Sequence, residues 1–188
     1  MHALLDLDRE LFLLINGMHA PWADGVMEAV SVMVMWFPMY AVFLYLIQRW
    51  LGWRGLGIGV LCITAMIFAS DSGSVMLFKD QFQRLRPCHA DDLQGMVHVV
   101  DGCGGQYGFV SSHAANHFAI AAFLFGVLRR RWSQSWIPLL LWAALIGYSR
   151  IYLGRHYPGD VIVGALYGMV IGAFFVGIFL KLLERKNA

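Results

Sequence analysis

Three short clusters hold the side chains whose types and spacing could do chemistry. The first is Lys79, six intervening residues, then Arg86-Pro87. The second is Val110-Ser111-Ser112-His113. The third is Ser149-Arg150, five intervening residues, His156, three more, and Asp160. Together they offer three strong cations, two imidazoles, neighbouring hydroxyls and a carboxylate. Fixed cations make an anion socket. An imidazole with a nearby carboxylate can be held in one tautomer as a base or nucleophile. Each cluster alone also has a plainer explanation. Lys79, Arg86 and Arg150 could be interfacial anchors for a membrane segment. Ser111 or Ser112 could cap a helix. Asp160 could cap another after the Pro158-Gly159 turn, and His113 and His156 could be satisfied interfacial residues. The joint occurrence matters only if the elements that carry the clusters bring them to one place.

Those elements are apolar. Of 188 residues, 59% are hydrophobic and 14% charged, with a mean hydropathy of +0.61. Soluble globular chains carry about 25% charged residues. The chain lacks the polar surface for a water-soluble body of its size, which argues against disorder and a cytosolic α/β enzyme. A net charge of +2 is too small to steer it to nucleic acid. Five stretches read as transmembrane helices: Ala29–Ile47, Gly55–Phe78, Ala114–Leu128, Trp132–Ser149 and Val161–Leu180. The third is short and could be a helix shielded by the others. Within the expected interfacial segment 1–20, residues 1–16 do not fit a signal peptide, because Asp6, Asp8, Arg9 and Glu10 interrupt the apolar run and no small-residue cleavage site follows. Leu4, Leu7, Leu11, Leu14 and Ile15 recur at helical spacing, which suggests an amphipathic helix at the membrane surface or one packed on the bundle. The expected fold is therefore all-α: a polytopic membrane helix bundle, one domain over residues 1–188, with about five transmembrane helices and an N-terminal interfacial helix.

Basic residues set the expected orientation. Arg49, Arg54, Arg129–Arg131, Lys181, Arg185 and Lys186 fall on one side, with Glu184 as its acid. That side should be cytoplasmic. The three clusters and the long 79–113 segment then lie on the extracytoplasmic side. Cys88 and Cys103 share that segment, where disulfides persist. A bridge would close a loop of about 16 residues and stabilise it by about 3 kcal/mol in the chain-entropy account. Two free thiols are the alternative. Cys62 sits within a span as a small apolar residue.

On one face, the clusters resemble the signature of the type 2 phosphatidic acid phosphatase superfamily, which includes vanadium haloperoxidases and bacterial acid phosphatases. The first and third clusters match the family pattern in full. The second matches Pro-Ser-Gly-His at Ser and His, with Val110 and Ser112 in the other two places. The resemblance implies a metal-independent phosphatase without cofactors. Its implied nucleophile is His156, forming a phosphohistidine, with Asp160 fixing the tautomer. His113 is the implied general acid, and Lys79, Arg86, Ser111, Ser112 and Arg150 the phosphate-binding set. These assignments suit the chemistry: phosphoryl transfer needs charge compensation on the equatorial oxygens, and three cations can supply it. Opposite protonation states of the two histidines imply a bell-shaped pH profile.

A site at the membrane interface favours a lipid phosphate or diphosphate. Undecaprenyl diphosphate is the first expectation, with phosphatidylglycerol phosphate, lipid A phosphate and phosphotransfer to a second lipid as alternatives. The implied setting is a bacterial inner (plasma) membrane, the site facing the periplasm or exterior, with no nucleic-acid partner. A transporter or binding module for anionic lipids is the non-enzymatic alternative, and a serine hydrolase using Ser111 and His113 a third. Among the rest, His89, Asp91, Asp92, His98 and Asp101 read as a solvated loop rather than metal ligands. The run Gly102–Gly108 reads as a flexible cover over the site. Arg84 and Arg155 read as outer headgroup contacts, and His117 as a packing residue. Asp71, an acid near the end of a span, is expected to hydrogen-bond within the bundle or pair with a base.

Overall fold

The computed structural model describes residues 2–184; Arg185 and Lys186 of the basic end lie outside the described residues. The fold is all-helical. In chain order the helices are α1 (His2–Gly17), α2 (Pro21–Ser31), α3 (Phe37–Gly73), the single turn α4 (Asp80–Phe82), α5 (Ser112–Leu128), α6 (Trp136–Tyr152) and α7 (Pro158–Glu184). Several boundaries differ from the sequence reading. The first expected span begins too early: Ala29–Ser31 close α2, Val32 is extended, and a 3-10 turn at Met33–Trp36 leads into α3. The first two spans are arms of one long element, broken at Gly52, where φ of +69° suits a residue without Cβ. The second arm runs on through a π-helical stretch, Ser74–Lys79, into α4, so Lys79 lies within helix instead of opening a loop. The fourth helix extends past Ser149 and holds Arg150 in its last turn.

The weakest span by hydropathy is the centre of the molecule. Nine residues of α5 are buried, Ala114, Ala119 and Phe123 among them, and α3, α6 and α7 all pack on it. Its closest neighbour is α7, through a stripe of small residues. A Cβ built at Gly164, Gly168 or Gly172 would come within 2.7, 2.0 or 2.4 Å of the carbonyls of Ser111, Ala115 or Ala119. Small residues at four-residue spacing let two backbones approach this closely. That approach brings the start of α5, with His113, beside the start of α7, with Asp160. The Ser111 N–H donates to the Asp160 carbonyl at 3.0 Å and locks the two starts together.

Among the described residues, two helices are long and apolar enough to cross a membrane, the kinked Met33–Phe82 stretch and α7. Large apolar side chains stand on the outer surface, including Leu61, Phe68, Val170 and Phe174, all more than 60% exposed. At the end opposite the three clusters, Arg54 donates to the carbonyls of Leu182 and Leu183, and Arg129 and Arg130 line the same depression. α1 is fastened through its polar residues. Asp8 accepts from the Gly159 N–H at 2.6 Å, Arg9 pairs with Asp92, and Asn16 brackets the backbone of His98. Leu4, Leu7 and Leu14 on α1 stay exposed.

Candidate active site

Each functional side chain arrives from a different element end. Lys79 comes from the π-helical end after α3, Arg86 from the following loop, Ser112 and His113 from the first turn of α5, and His156 from the loop between α6 and α7. All five line one cavity of about 560 Å³. The loop holding His156 folds back over α6, with the N–H groups of Arg155 and His156 both donating to the Arg150 carbonyl. Gly154, at φ of +74°, allows that reversal after the helix.

His156 is buried, and its Nδ1 lies 3.4 Å from Asp160 Oδ2. A carboxylate can only accept, so Nδ1 carries the hydrogen and Nε2 is left as the unprotonated nitrogen. Burial pushes the His156 imidazole down to about 4; the Arg86 and Arg150 guanidiniums add to this and Asp160 opposes it. The ring is therefore neutral at physiological pH. Asp160 is fully buried and closely held. Its Oδ2 also accepts from the Tyr157 N–H at 3.0 Å, and its Oδ1 from Arg84 at 2.8 Å.

The cations are placed by specific partners. Lys79 Nζ donates to the Ser112 hydroxyl at 2.6 Å, which also contacts the Ser74 hydroxyl at 2.6 Å. Arg86 is held by the carbonyls of Cys103, at 2.9 Å, and Tyr107, at 3.3 Å. Arg150 is buried, bonds the Ser31 hydroxyl through Nη1, and has an Nε without a partner among the described residues. Ser111 is fully buried, and its hydroxyl accepts from the Ala114 N–H at 3.4 Å as the cap of α5. Ser112, not Ser111, faces the cavity. Cys88 and Cys103 are joined, 15 residues apart, which fixes the carbonyl that holds Arg86.

Three sequence expectations change here. The glycine run is a wall in contact with the site. A Cβ at Gly104 would meet Arg86 at 2.9 Å, and one at Gly108 would meet Asp160 at 3.0 Å and His156 at 3.5 Å. Arg84 is no outer headgroup contact: it bridges Asp160 and Asp8, the latter at 2.7 Å, with its guanidinium 3.9 Å over the Tyr157 ring. Arg155 pairs with Asp101. Sequence offered little sign of Arg84's role, because its partners lie 76 positions away on either side. Arg84→Gln should lower kcat by about 10–100-fold, the scale for removing a group that orients a catalytic one, with KM nearly unchanged. Arg84→Lys should recover part of the loss. Equal losses in kcat and protein yield with KM also raised would mark a merely structural role.

The family model described as PAP2 superfamily matches residues 58–184. The chain is similar to the lipid A 4′-phosphatase of Bacteroides thetaiotaomicron, 39% identical over 187 residues, covering 98% of this chain and 82% of that one. It is also similar to the undecaprenyl-diphosphatase of Sulfolobus acidocaldarius, 30% identical over 172 residues, covering 90% and 77%. Its fold resembles the crystal structure of a transmembrane PAP2 type phosphatidylglycerolphosphate phosphatase from Bacillus subtilis, with a TM-score of 0.72 at 20% identity, covering 98% and 90%. The chain belongs to the PAP2 superfamily and is a membrane phosphatase that acts on a lipid substrate.

Proposed function

We propose that this enzyme removes a phosphate from lipid A, at its 4′-position, on the extracytoplasmic side of a bacterial inner membrane. The observation that carries an amphiphilic substrate is the shape of the cavity. Lys79, Arg86 and His156 line one end, and Ile47, Ile63 and Leu124 the other. A phosphate fits the first and hydrocarbon the second. Undecaprenyl diphosphate, the first expectation from sequence, yields to lipid A because the lipid A 4′-phosphatase is the more similar relative, 39% against 30% identical. No residue in the sequence reads an isoprenoid, so that expectation had no physical anchor.

The topology that goes with this reading has five crossings: the two arms of α3, then α5, α6 and α7. α1 lies at the interface with its leucines toward lipid. Arg54, Arg129 and Arg130 gather at the end away from the cavity mouth, which supports a cytoplasmic assignment for that end.

The chemistry follows from the geometry. Lys79, Arg86 and Arg150 neutralise the phosphate oxygens, and the Ser112 hydroxyl adds a polar contact. His156 Nε2 attacks phosphorus, and the P–O bond to the lipid breaks. His113 gives its proton to the leaving oxygen. His113 then takes a proton from water, the resulting hydroxide attacks the phosphohistidine, and the P–N bond breaks to release inorganic phosphate. Asp160 accepts from Nδ1 throughout, stabilising the positive charge that develops on the ring.

The decisive experiment is phosphate release in nanodiscs containing EDTA, comparing kcat/KM for lipid A, undecaprenyl diphosphate and phosphatidylglycerol phosphate. Lipid A should lead by at least about tenfold, with loss of the 4′-phosphate seen by mass spectrometry. A lead for either other lipid reassigns the substrate. Loss of activity in EDTA would remove the three-cation account.

A further inference from the structure

The cavity wall is not uniformly apolar below its cationic end. On the second arm of α3 and its π-helical continuation, the lining residues run Lys79, Val75, Asp71, Ile67, Ile63; on α5 they run His113, Asn116, His117, Ile120, Leu124. A polar band therefore interrupts the path from phosphate to hydrocarbon. Asn116 Nδ2 donates to Asp71 Oδ1 at 3.3 Å. Asn116 Oδ1 is buried without a partner, and Asp71 has no ion-pair partner among the described residues. His117 Nδ1 lies 2.7 Å from the His113 carbonyl. A carbonyl can only accept, so Nδ1 carries the hydrogen and Nε2 is the acceptor of the neutral ring.

Among the described residues the band therefore keeps open acceptors, Asn116 Oδ1, Asp71 Oδ2 and His117 Nε2, while Asp71 Oδ1 is taken by Asn116. It does not extend the phosphate socket, because a carboxylate repels phosphate oxygens. Nor is it ordinary packing: a buried amide oxygen left unpaired, as Asn116 Oδ1 is, is expensive to keep beside an apolar cavity. Its distance from the phosphate end can be estimated. At 1.5 Å rise per residue, Asn116 lies about 5 Å along α5 from His113, and Asp71 meets it from the facing helix. That is the zone a headgroup occupies when its phosphate is in the socket and its chains are in the trough.

We infer that Asp71, Asn116 and His117 form a specificity belt that accepts hydrogen bonds from hydroxyl or amide N–H groups on the tail side of the substrate's phosphate. The inference rests on the lipid phosphatase reading of the same cavity and deepens it. The fitting class is a phosphorylated glycolipid, whose sugar carries such donors. A polyprenyl phosphate, whose hydrocarbon begins directly at the phosphate ester, leaves the acceptors unfilled.

The test uses two synthetic sugar 4-phosphate lipids, a glucosamine whose chain is linked through an amide N–H and its glucose counterpart whose chain is linked through an ester oxygen. Wild-type enzyme should favour the amide by about 10–100-fold in kcat/KM, the range for one hydrogen bond to a charged acceptor. Asp71→Leu and Asn116→Leu should bring the ratio close to one, and Asp71→Asn should fall between. Because the ratio is measured within a single preparation, an unfolded fraction cancels. A wild-type ratio near one, or variants that keep the wild-type ratio, overturns the belt alone. Undecaprenyl diphosphate is the third arm. Enzyme that hydrolyses it and neither glycolipid overturns the glycolipid reading itself, and the belt with it.

Discussion

Replacing His156 with alanine lowers kcat by at least about 10⁴-fold, the scale at which a nucleophile is lost, while the lipid still binds. Binding survives because Lys79, Arg86 and Arg150 remain. Rapid quenching of wild-type enzyme with ³²P-labelled lipid should trap an acid-labile phosphoenzyme, and the variant should trap none. Retained turnover in the variant would remove the covalent route. The same residue sets the acid limb of the rate profile. A histidine at about 4 is neutral, and able to attack, above that pH. Activity is lost as pH falls through about 4, not through the ordinary value of 6.5. The limb in kcat/KM should therefore break near pH 4 once the substrate's own ionisation, near pH 6, is divided out. Stability follows the same sign. The unfolded chain binds the proton more readily, so the folded state loses stability between about 6.5 and 4. A corrected limb near 6.5 would mean that His156 is not the group titrating, or that it is not held in a buried site.

The sequence was legible where chemistry dictates residue types. Lys79, Arg86, His113 and His156 could be chosen from spacing and resemblance, and the structure brings them to one cavity. Composition likewise forced apolar helices. The parts that stayed hidden depend on distant pairings or on backbone proximity. Asp8 sits in a helix whose leucine pattern left open a surface position or packing on the bundle, and nothing in that pattern pointed to its capping the start of α7 or sharing Arg84 with Asp160. Gly104 and Gly108 looked like loop residues because glycine is common in mobile covers. Here a Cβ at Gly108 would press on Asp160 and Arg86, and Gly104 takes a φ of +73° with Arg86 at 2.9 Å from the place of a Cβ. The span that became α5 read as the weakest because it is short and opens with the polar pair Asn116 and His117, with alanines through its length. Those alanines are what let α7 approach, and they make α5 the central helix. Ser112, where the family pattern has glycine, orients Lys79 through its hydroxyl, a role that a glycine could not supply.

Arg150→Lys should lower kcat/KM by about 10²–10³-fold, although the charge is conserved. The reason lies in how the guanidinium is held. Arg150 is 3% exposed, with Nη1 tied to Ser31 and Nε without a partner among the described residues. A planar fork anchored at one nitrogen keeps its remaining donors in fixed directions, which suits two oxygens of a tetrahedral anion. An ammonium in the same place must choose between Ser31 and the phosphate, and it lacks the reach to serve both. The loss should fall mainly on kcat if Arg150 tightens on the equatorial oxygens as they gain charge, and mainly on KM if it only binds the ground state. Because the group is buried, Arg150→Met separates charge from shape: it should be worse than the lysine variant by a further tenfold or so. Ser31→Ala supplies the control. It frees the anchor without touching the charge, and should cost less than either substitution at Arg150. If the lysine variant keeps wild-type kcat/KM, the fork geometry is irrelevant and Arg150 acts as a point charge only. If Ser31→Ala matches the methionine variant, the anchor and not the anion contact is what the site needs from this arginine.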